Sequence, residues 1–140
     1  MTQTVPDGFV PHDRPSPFTN SMEPIFARIA ADQYALGTQL RAEHCNSRGL
    51  VHGGFIATLA DNAMGLTCGL ALMAGGRTIR NMVTVNLSID YVGQAQIGDW
   101  LQTDSRVVKL GRSLAFVETH LLSGATIVSR ASATFKIKTD

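Results

Sequence analysis

Phe55-Ile56-Ala57-Thr58-Leu59-Ala60-Asp61-Asn62-Ala63-Met64-Gly65-Leu66-Thr67-Cys68-Gly69-Leu70-Ala71-Leu72-Met73-Ala74 is an apolar run opened by Gly53-Gly54 and closed by Gly75-Gly76. Its length alone would suit a membrane span. Asp61 and Asn62 sit inside it, however, and a bilayer core tolerates such groups poorly. The run is apolar nearly all round and rich in Ala and Gly, as a helix must be if other elements wrap it closely. It reads as the buried central helix of a soluble protein with no membrane partner, ending at about Ala74, where the glycine pair stops it.

Downstream the period changes. Val83, Val85, Leu87, Ile89 and Tyr91 alternate with Thr84, Asn86, Ser88 and Asp90, a two-residue repeat that predicts a strand with one buried face. Three further strands are expected over 100–108, 114–122 and 126–137. Leu110-Gly111-Arg112 and Ser123-Gly124 read as the tight antiparallel connections between them.

Upstream, Leu36, Thr38 and Leu40 alternate with Gln39 and Arg41, predicting a first strand within 34–43. Ser21-Met22-Glu23-Pro24 places a capping hydroxyl, an acid and a proline ahead of Ile25, Phe26 and Ile29. That pattern predicts a short helix of about ten residues. Residues 1–20 are polar and hold four of the five prolines. They read as a flexible N-terminal arm, and nothing in them resembles a signal peptide. Residues 21–140 then form a single α+β domain with five to six antiparallel strands curved around one long helix.

The totals narrow the functional classes. A chain of 140 residues has the size of one domain. Twelve basic residues against eleven acidic ones, without a dense basic run, exclude an electrostatic footprint for nucleic acid. Only 16% of residues are charged, so part of the surface is expected to meet another subunit. Cys45 and Cys68 occupy unlike contexts and read as reduced thiols of a cytoplasmic protein. Cys45 beside His44 does not make a metal or nucleophile site, because neighbours in an extended segment point to opposite faces. Trp100, at the head of a strand, reads as packing.

The chemistry lies in Asn46-Ser47-Arg48-Gly49-Leu50-Val51-His52-Gly53-Gly54 together with Asp61. Gly53 and Gly54 expose backbone N–H groups at the positive end of the helix dipole, where a carbonyl can be polarised. Charge that grows on that oxygen during attack by water is stabilised by a fixed donor worth about 3 kcal/mol. Asp61, the one acid in the helix, can deprotonate the water or attack the carbonyl itself. Gly54 and Asp61 are separated by about 10 Å of helix rise, too far to serve one carbonyl. The site therefore requires Gly53 of one subunit and Asp61 of another.

The run from Asn46 through His52-Gly53-Gly54 to Asp61, with 83–91 and Gly98-Asp99, resembles the PaaI-like (phenylacetate-degradation type) acyl-CoA thioesterases of the hotdog superfamily. The resemblance spans roughly residues 36–137. It implies a hotdog fold, hydrolysis of aryl- or medium-chain acyl-CoA, and a homodimer or homotetramer with active sites at the dimer interface. It implies no metal or redox cofactor, coenzyme A being part of the substrate.

Position by position, Asp61 corresponds to the family's base or nucleophile, Gly53 to its oxyanion donor, and Asn46 and His52 to residues that position thioester and water. Thr84 stands where some relatives carry serine. The turn Lys109-Leu110-Gly111-Arg112-Ser113 stands near the coenzyme, so Lys109, Gly111, Arg112 and Ser113, with Gly54, become candidate substrate-binding residues.

Plainer readings stand beside these. Asp61 can be a structural acid, His52 a helix cap, Asn46 a turn residue, and the 109–113 hairpin a solvated tip. Two other functions compete with hydrolysis. A hotdog hydratase or dehydratase would pair His52 with Asp61 across the dimer, but the Pro-Gly that follows the histidine in those enzymes is missing. A non-catalytic acyl-CoA binding or sensing module would keep the pocket without turnover.

Overall fold

The computed structural model describes residues 4–140; the first three positions of the expected arm lie outside the described residues. One helix, α1 (Gly53–Ala74), is wrapped by strands β1 (Val10–Pro11), β2 (Phe26–Ile29), β3 (Tyr34–Gln39), β4 (Ile79–Tyr91), β5 (Trp100–Leu110), β6 (Leu114–Ser123) and β7 (Thr126–Thr139). They form one antiparallel sheet in the order β1-β2-β3-β5-β6-β7-β4. This is the hotdog arrangement, with seven strands where five to six were expected.

The helix is held by burial. Phe55, Ile56, Leu59, Ala60, Ala63, Met64, Cys68 and Leu72 pack on the inner sheet residues Leu36, Leu101, Val117, Leu121, Val128 and Phe135. Each large side chain removed from water contributes about 1.5–3 kcal/mol. The connections follow the sequence. Gly124, with φ of 58°, turns β6 into β7, and a Cβ on Gly111 would lie 2.6 Å from Leu114 O, so only glycine fits that hairpin.

The predicted helix after Pro24 is absent. Asn20–Met22 forms only a 3-10 turn, and 26–29 is strand β2, paired with β3. The segment meets apolar surroundings on both faces, and that decides the outcome. Ile25 and Ala27 enter the main core, whereas Phe26 joins Phe9, Ala35 and Trp100 in a second cluster. Alternation satisfies both clusters, and a helical stripe would satisfy one.

The expected loose arm is also corrected for residues 4–20. Val10–Pro11 pairs with β2, Phe9 is buried edge-on against Trp100 with ring centroids 5.2 Å apart, and Tyr34 Oη donates to Asp13 Oδ1. Trp100 lies over Gly37, where a Cβ would come within 2.4 Å of the indole. Its role is packing, as its place at the strand head suggested.

Strand β4 forms one edge of the sheet. Its alternation breaks: Thr84 pairs with Phe135 and Asn86 with Thr134, leaving Val85 as a bulge. The inner face therefore carries Met82, Thr84, Leu87, Ile89 and Tyr91, while Val83 and Val85 are 46% and 53% exposed. The single face expected for Val83, Val85 and Leu87 does not exist.

Buried His44 fixes the loop ahead of α1. Its ring stacks on Phe55 with centroids 4.3 Å apart, Nδ1 accepts from Arg41 N, and Nε2 donates to Met22 O at 2.8 Å. Desolvation, aided by the Arg41 charge, lowers the His44 pKa against the opposing pull of Met22 O and Glu43. The unfolded chain therefore takes up the proton first as pH falls. Stability from this group is intact above about pH 6.5 and declines below it. Melting temperatures measured from pH 7.5 to 5 are expected to fall. In His44→Gln, destabilised by about 1–3 kcal/mol at pH 7.5, the acid-side slope should be shallower; an unchanged slope would contradict this assignment.

Candidate active site

The start of α1 has four N–H groups without helical acceptors, and three of them are engaged. His44 O accepts from His52 N at 2.8 Å, His52 Nδ1 accepts from Gly54 N at 2.8 Å, and His52 O accepts from Phe55 N at 3.0 Å. Among the described residues Gly53 N–H has no acceptor, which leaves one amide at the positive end of the helix for an incoming oxygen. The His52 imidazole is a cap, the plainer of its two sequence readings. Tyr91 Oη donates to Gly53 O at 2.9 Å, with its ring against the glycine.

Asp61 lies half-buried on the open side of α1 and accepts from Thr84 Oγ1 at 2.7 Å. The bulge at Val85 allows this contact. Thr84 engages one carboxylate oxygen, and among the described residues the other has no partner. Beside it runs a groove of about 1050 Å³ lined by Asn62, Leu66, Leu70, Met82 and Phe135. A carboxylate with one oxygen fixed and one open to an apolar groove can take a proton from water or act as nucleophile.

Two groups form among the predicted residues. Asp61 and Thr84 come together, as do His52, Gly53 and Gly54. The two groups remain about 12 Å apart along the axis, eight residues at the usual rise. Asn46 stands in the loop before the helix start, where its Oδ1 accepts from Arg48 N at 2.9 Å and Leu50 N at 3.3 Å. It is a turn residue whose amide NH₂ has no acceptor among the described residues.

The hairpin carrying Lys109, Gly111, Arg112 and Ser113 stands at the other end of α1. Arg77, just past the helix, donates to Gly111 O and Arg112 O at 2.9 and 2.8 Å. Lys109 and Arg112 are exposed, and among the described residues neither forms an ion pair. Within one chain the structure does not bring this tip to Gly53.

Other reactive groups are committed elsewhere. Burial raises the Cys45 thiol and pushes Cys68 up to about 11, so neither is a ready nucleophile. A hollow of about 510 Å³ on the outer face of the sheet holds the Asp90–Arg130 and Arg106–Glu118 pairs with His120. Its charges largely satisfy one another, and Asp61 faces the other way. No cluster of His, Cys, Asp and Glu suited to a metal occurs among the described residues.

Sequence reasoning missed Tyr91 and Arg77 as supports. Tyr91 was legible only as one more residue of an alternating strand, and its bond spans 38 positions. The clean Val-Thr-Val-Asn-Leu pattern concealed the bulge that aims it.

A family model described as the thioesterase superfamily matches residues 48–130. A Pseudomonas aeruginosa protein with the provisional name of esterase is 40% identical over 134 residues, 95% of this chain and 97% of that one. Human acyl-coenzyme A thioesterase 13 is 34% identical over 90 residues, 63% of this chain and 59% of its own length.

Among solved structures, a mutant of the phenylacetic acid degradation protein PaaI from Thermus thermophilus superposes with a TM-score of 0.74 at 22% identity, over 86% of this chain and 98% of that one. A Streptococcus mutans protein bound to acetyl CoA gives 0.69 at 26% identity, over 78% and 83%. The shared plan of one wrapped helix, the matched segment running from the turn before that helix through most of the sheet, and the near full-length relative agree: this chain belongs to the thioesterase superfamily.

Proposed function

We propose that this protein hydrolyses acyl-CoA thioesters, with aryl or medium-chain acyl groups, to the free acid and coenzyme A. The observation that carries the reading is the Asp61 carboxylate, steadied by Thr84 and open to an apolar groove. In one route Asp61 accepts a proton as the water oxygen bonds to the thioester carbon. The resulting oxyanion is held by Gly53 N–H, and collapse of the tetrahedral species breaks the C–S bond and expels the thiolate, which takes up a proton. In the other, Asp61 bonds to the thioester carbon as the C–S bond breaks and the thiolate leaves and takes up a proton, and water then cleaves the mixed anhydride to the free acid and the Asp61 carboxylate.

Because Asp61 and Gly53 of one chain are about 12 Å apart, the proposed site joins Asp61 of one subunit to Gly53 of its neighbour. Edge strand β4, with exposed Val83 and Val85 and no further strand beyond it among the described residues, is the proposed two-fold contact. Exposed Val108, Leu114 and Phe116 on the outer face favour a further association into a tetramer. In that assembly Lys109 and Arg112 are proposed to hold coenzyme A phosphates, with Gly111 and Ser113 shaping the turn. The protein is proposed to act in the cytoplasm without metal or redox cofactor. The relatives named as thioesterases support this reading, and the use of His52 as a cap disfavours a His-dependent hydratase.

Free thiol released from a panel of aryl and acyl thioesters tests the proposal. Asp61→Asn is expected to lower turnover at least about a hundredfold, roughly 3 kcal/mol of barrier, with acyl-CoA binding retained. Binding without hydrolysis by the native protein would instead make it a sensing module.

Thr84 makes a second, separable prediction. A hydrogen bond to a charged group is worth about 1.5–3 kcal/mol, so Thr84→Val is expected to reduce kcat about tenfold or more. Thr84→Ser, which keeps the hydroxyl, should stay near the native rate; equal rates for all three proteins would remove Thr84 from the mechanism.

A further inference from the structure

Strand β4 touches both reactive groups of α1. Thr84 Oγ1 donates to Asp61, and Tyr91 Oη donates to Gly53 O at 2.9 Å. These two residues are an odd seven positions apart, so a regular strand would turn them to opposite faces of the sheet. The register shows how both come to face the helix. Thr84 pairs with Phe135 and Tyr91 with Ser129, six positions apart on β7, because the bulge at Val85 absorbs one residue.

Tyr91 also bears on the glycine sterically. A Cβ on Gly53 would lie 3.3 Å from Tyr91 Cε1 and Cζ and 3.4 Å from its hydroxyl. The hydrogen bond fixes the Gly53–Gly54 peptide through its carbonyl, and the ring contact holds the Gly53 Cα that joins it to the preceding peptide, whose Gly53 N–H is the one helix-start amide without an acceptor among the described residues. His52 holds the same Gly53–Gly54 peptide at its other end, through the Gly54 N–H.

We infer that Tyr91 is a positioning residue that aims the Gly53 N–H at the thioester oxygen, and that the bulged strand β4 sets the orientation of both catalytic groups. The inference rests on the thioesterase reading above and adds to it a residue and a strand that act through the helix rather than on the substrate. Because donor geometry matters most where charge develops, the effect belongs in kcat more than in KM. In the proposed dimer each β4 serves two sites, steadying the acid of one through Thr84 and the amide of the other through Tyr91.

The test is Tyr91→Phe, which keeps the ring against Gly53 and removes only the hydroxyl. Steady-state thioester hydrolysis is compared with native protein and Asp61→Asn, and amide exchange at Gly53 and Gly54 is followed by NMR. Expected are a loss in kcat of about five- to tenfold, KM within about twofold, an unchanged melting temperature, and faster exchange at the helix start. Native kcat and native exchange in Tyr91→Phe, while Asp61→Asn is inactive, would overturn the inference and leave the thioesterase reading standing. Parallel loss of kcat and melting temperature would also overturn it, by making Tyr91 merely structural. Absence of turnover in the native control would overturn both readings, and it would appear in the control rather than in the variant.

Discussion

An α-helix advances 1.5 Å per residue, and that fixed rise governs what this protein can do with its two reactive groups. Gly53 opens α1 and Asp61 lies two turns along it, so a donor for an oxyanion and an acid for a water are held on one rigid rod at a separation that no side-chain rotation closes. The wrapped sheet reinforces the constraint by burying the helix from Phe55 to Leu72. Placing both groups on one carbonyl then requires a second copy of the helix, which is the physical basis of the proposed dimer.

The edge strand answers to the same constraint. A central strand would be paired on both sides and could not present its backbone to a partner, whereas β4 is paired on one side only. Its bulge changes the facing of the chain between Val83 and Leu87, turning Thr84 inward to Asp61 and leaving Val83 and Val85 in solvent. One irregularity in the strand thus provides both a hydrogen bond for the acid and apolar surface for association. The open groove beside Asp61 and Leu66 gives the acyl group a place next to the reacting carboxylate.

Much of this was legible in the sequence. Helix α1 was readable because its apolar run lies between glycine pairs, and β5, β6 and β7 because period-two patterns are separated by turn residues. The helix-start glycines and Asp61 stood out because their residue types are costly or unusual where they occur. Strand β2 was misread because Ile25, Phe26 and Ile29 fit a helical stripe, and only the existence of a second apolar cluster around Phe9 and Trp100 makes alternation the better solution. The same cluster seats Val5 and Phe9, within a segment whose prolines and polar side chains locally resemble a free arm. The 109–113 turn is legible as a hairpin, but its position at the far end of α1 depends on Arg77, a contact across 34 positions.

Turnover by this protein requires that the acid and the amide come from different chains. Gly53→Pro removes the amide hydrogen while suiting the first position of a helix, and Asp61→Asn removes the acid. Each variant alone is expected to be nearly inactive. Co-refolded in equal amounts, they should recover about a quarter of native thioester turnover, because random pairing gives that share of sites both an intact Asp61 and an intact Gly53 from opposite subunits. Failure to recover activity in a mixture shown to contain hybrid oligomers would contradict the shared site.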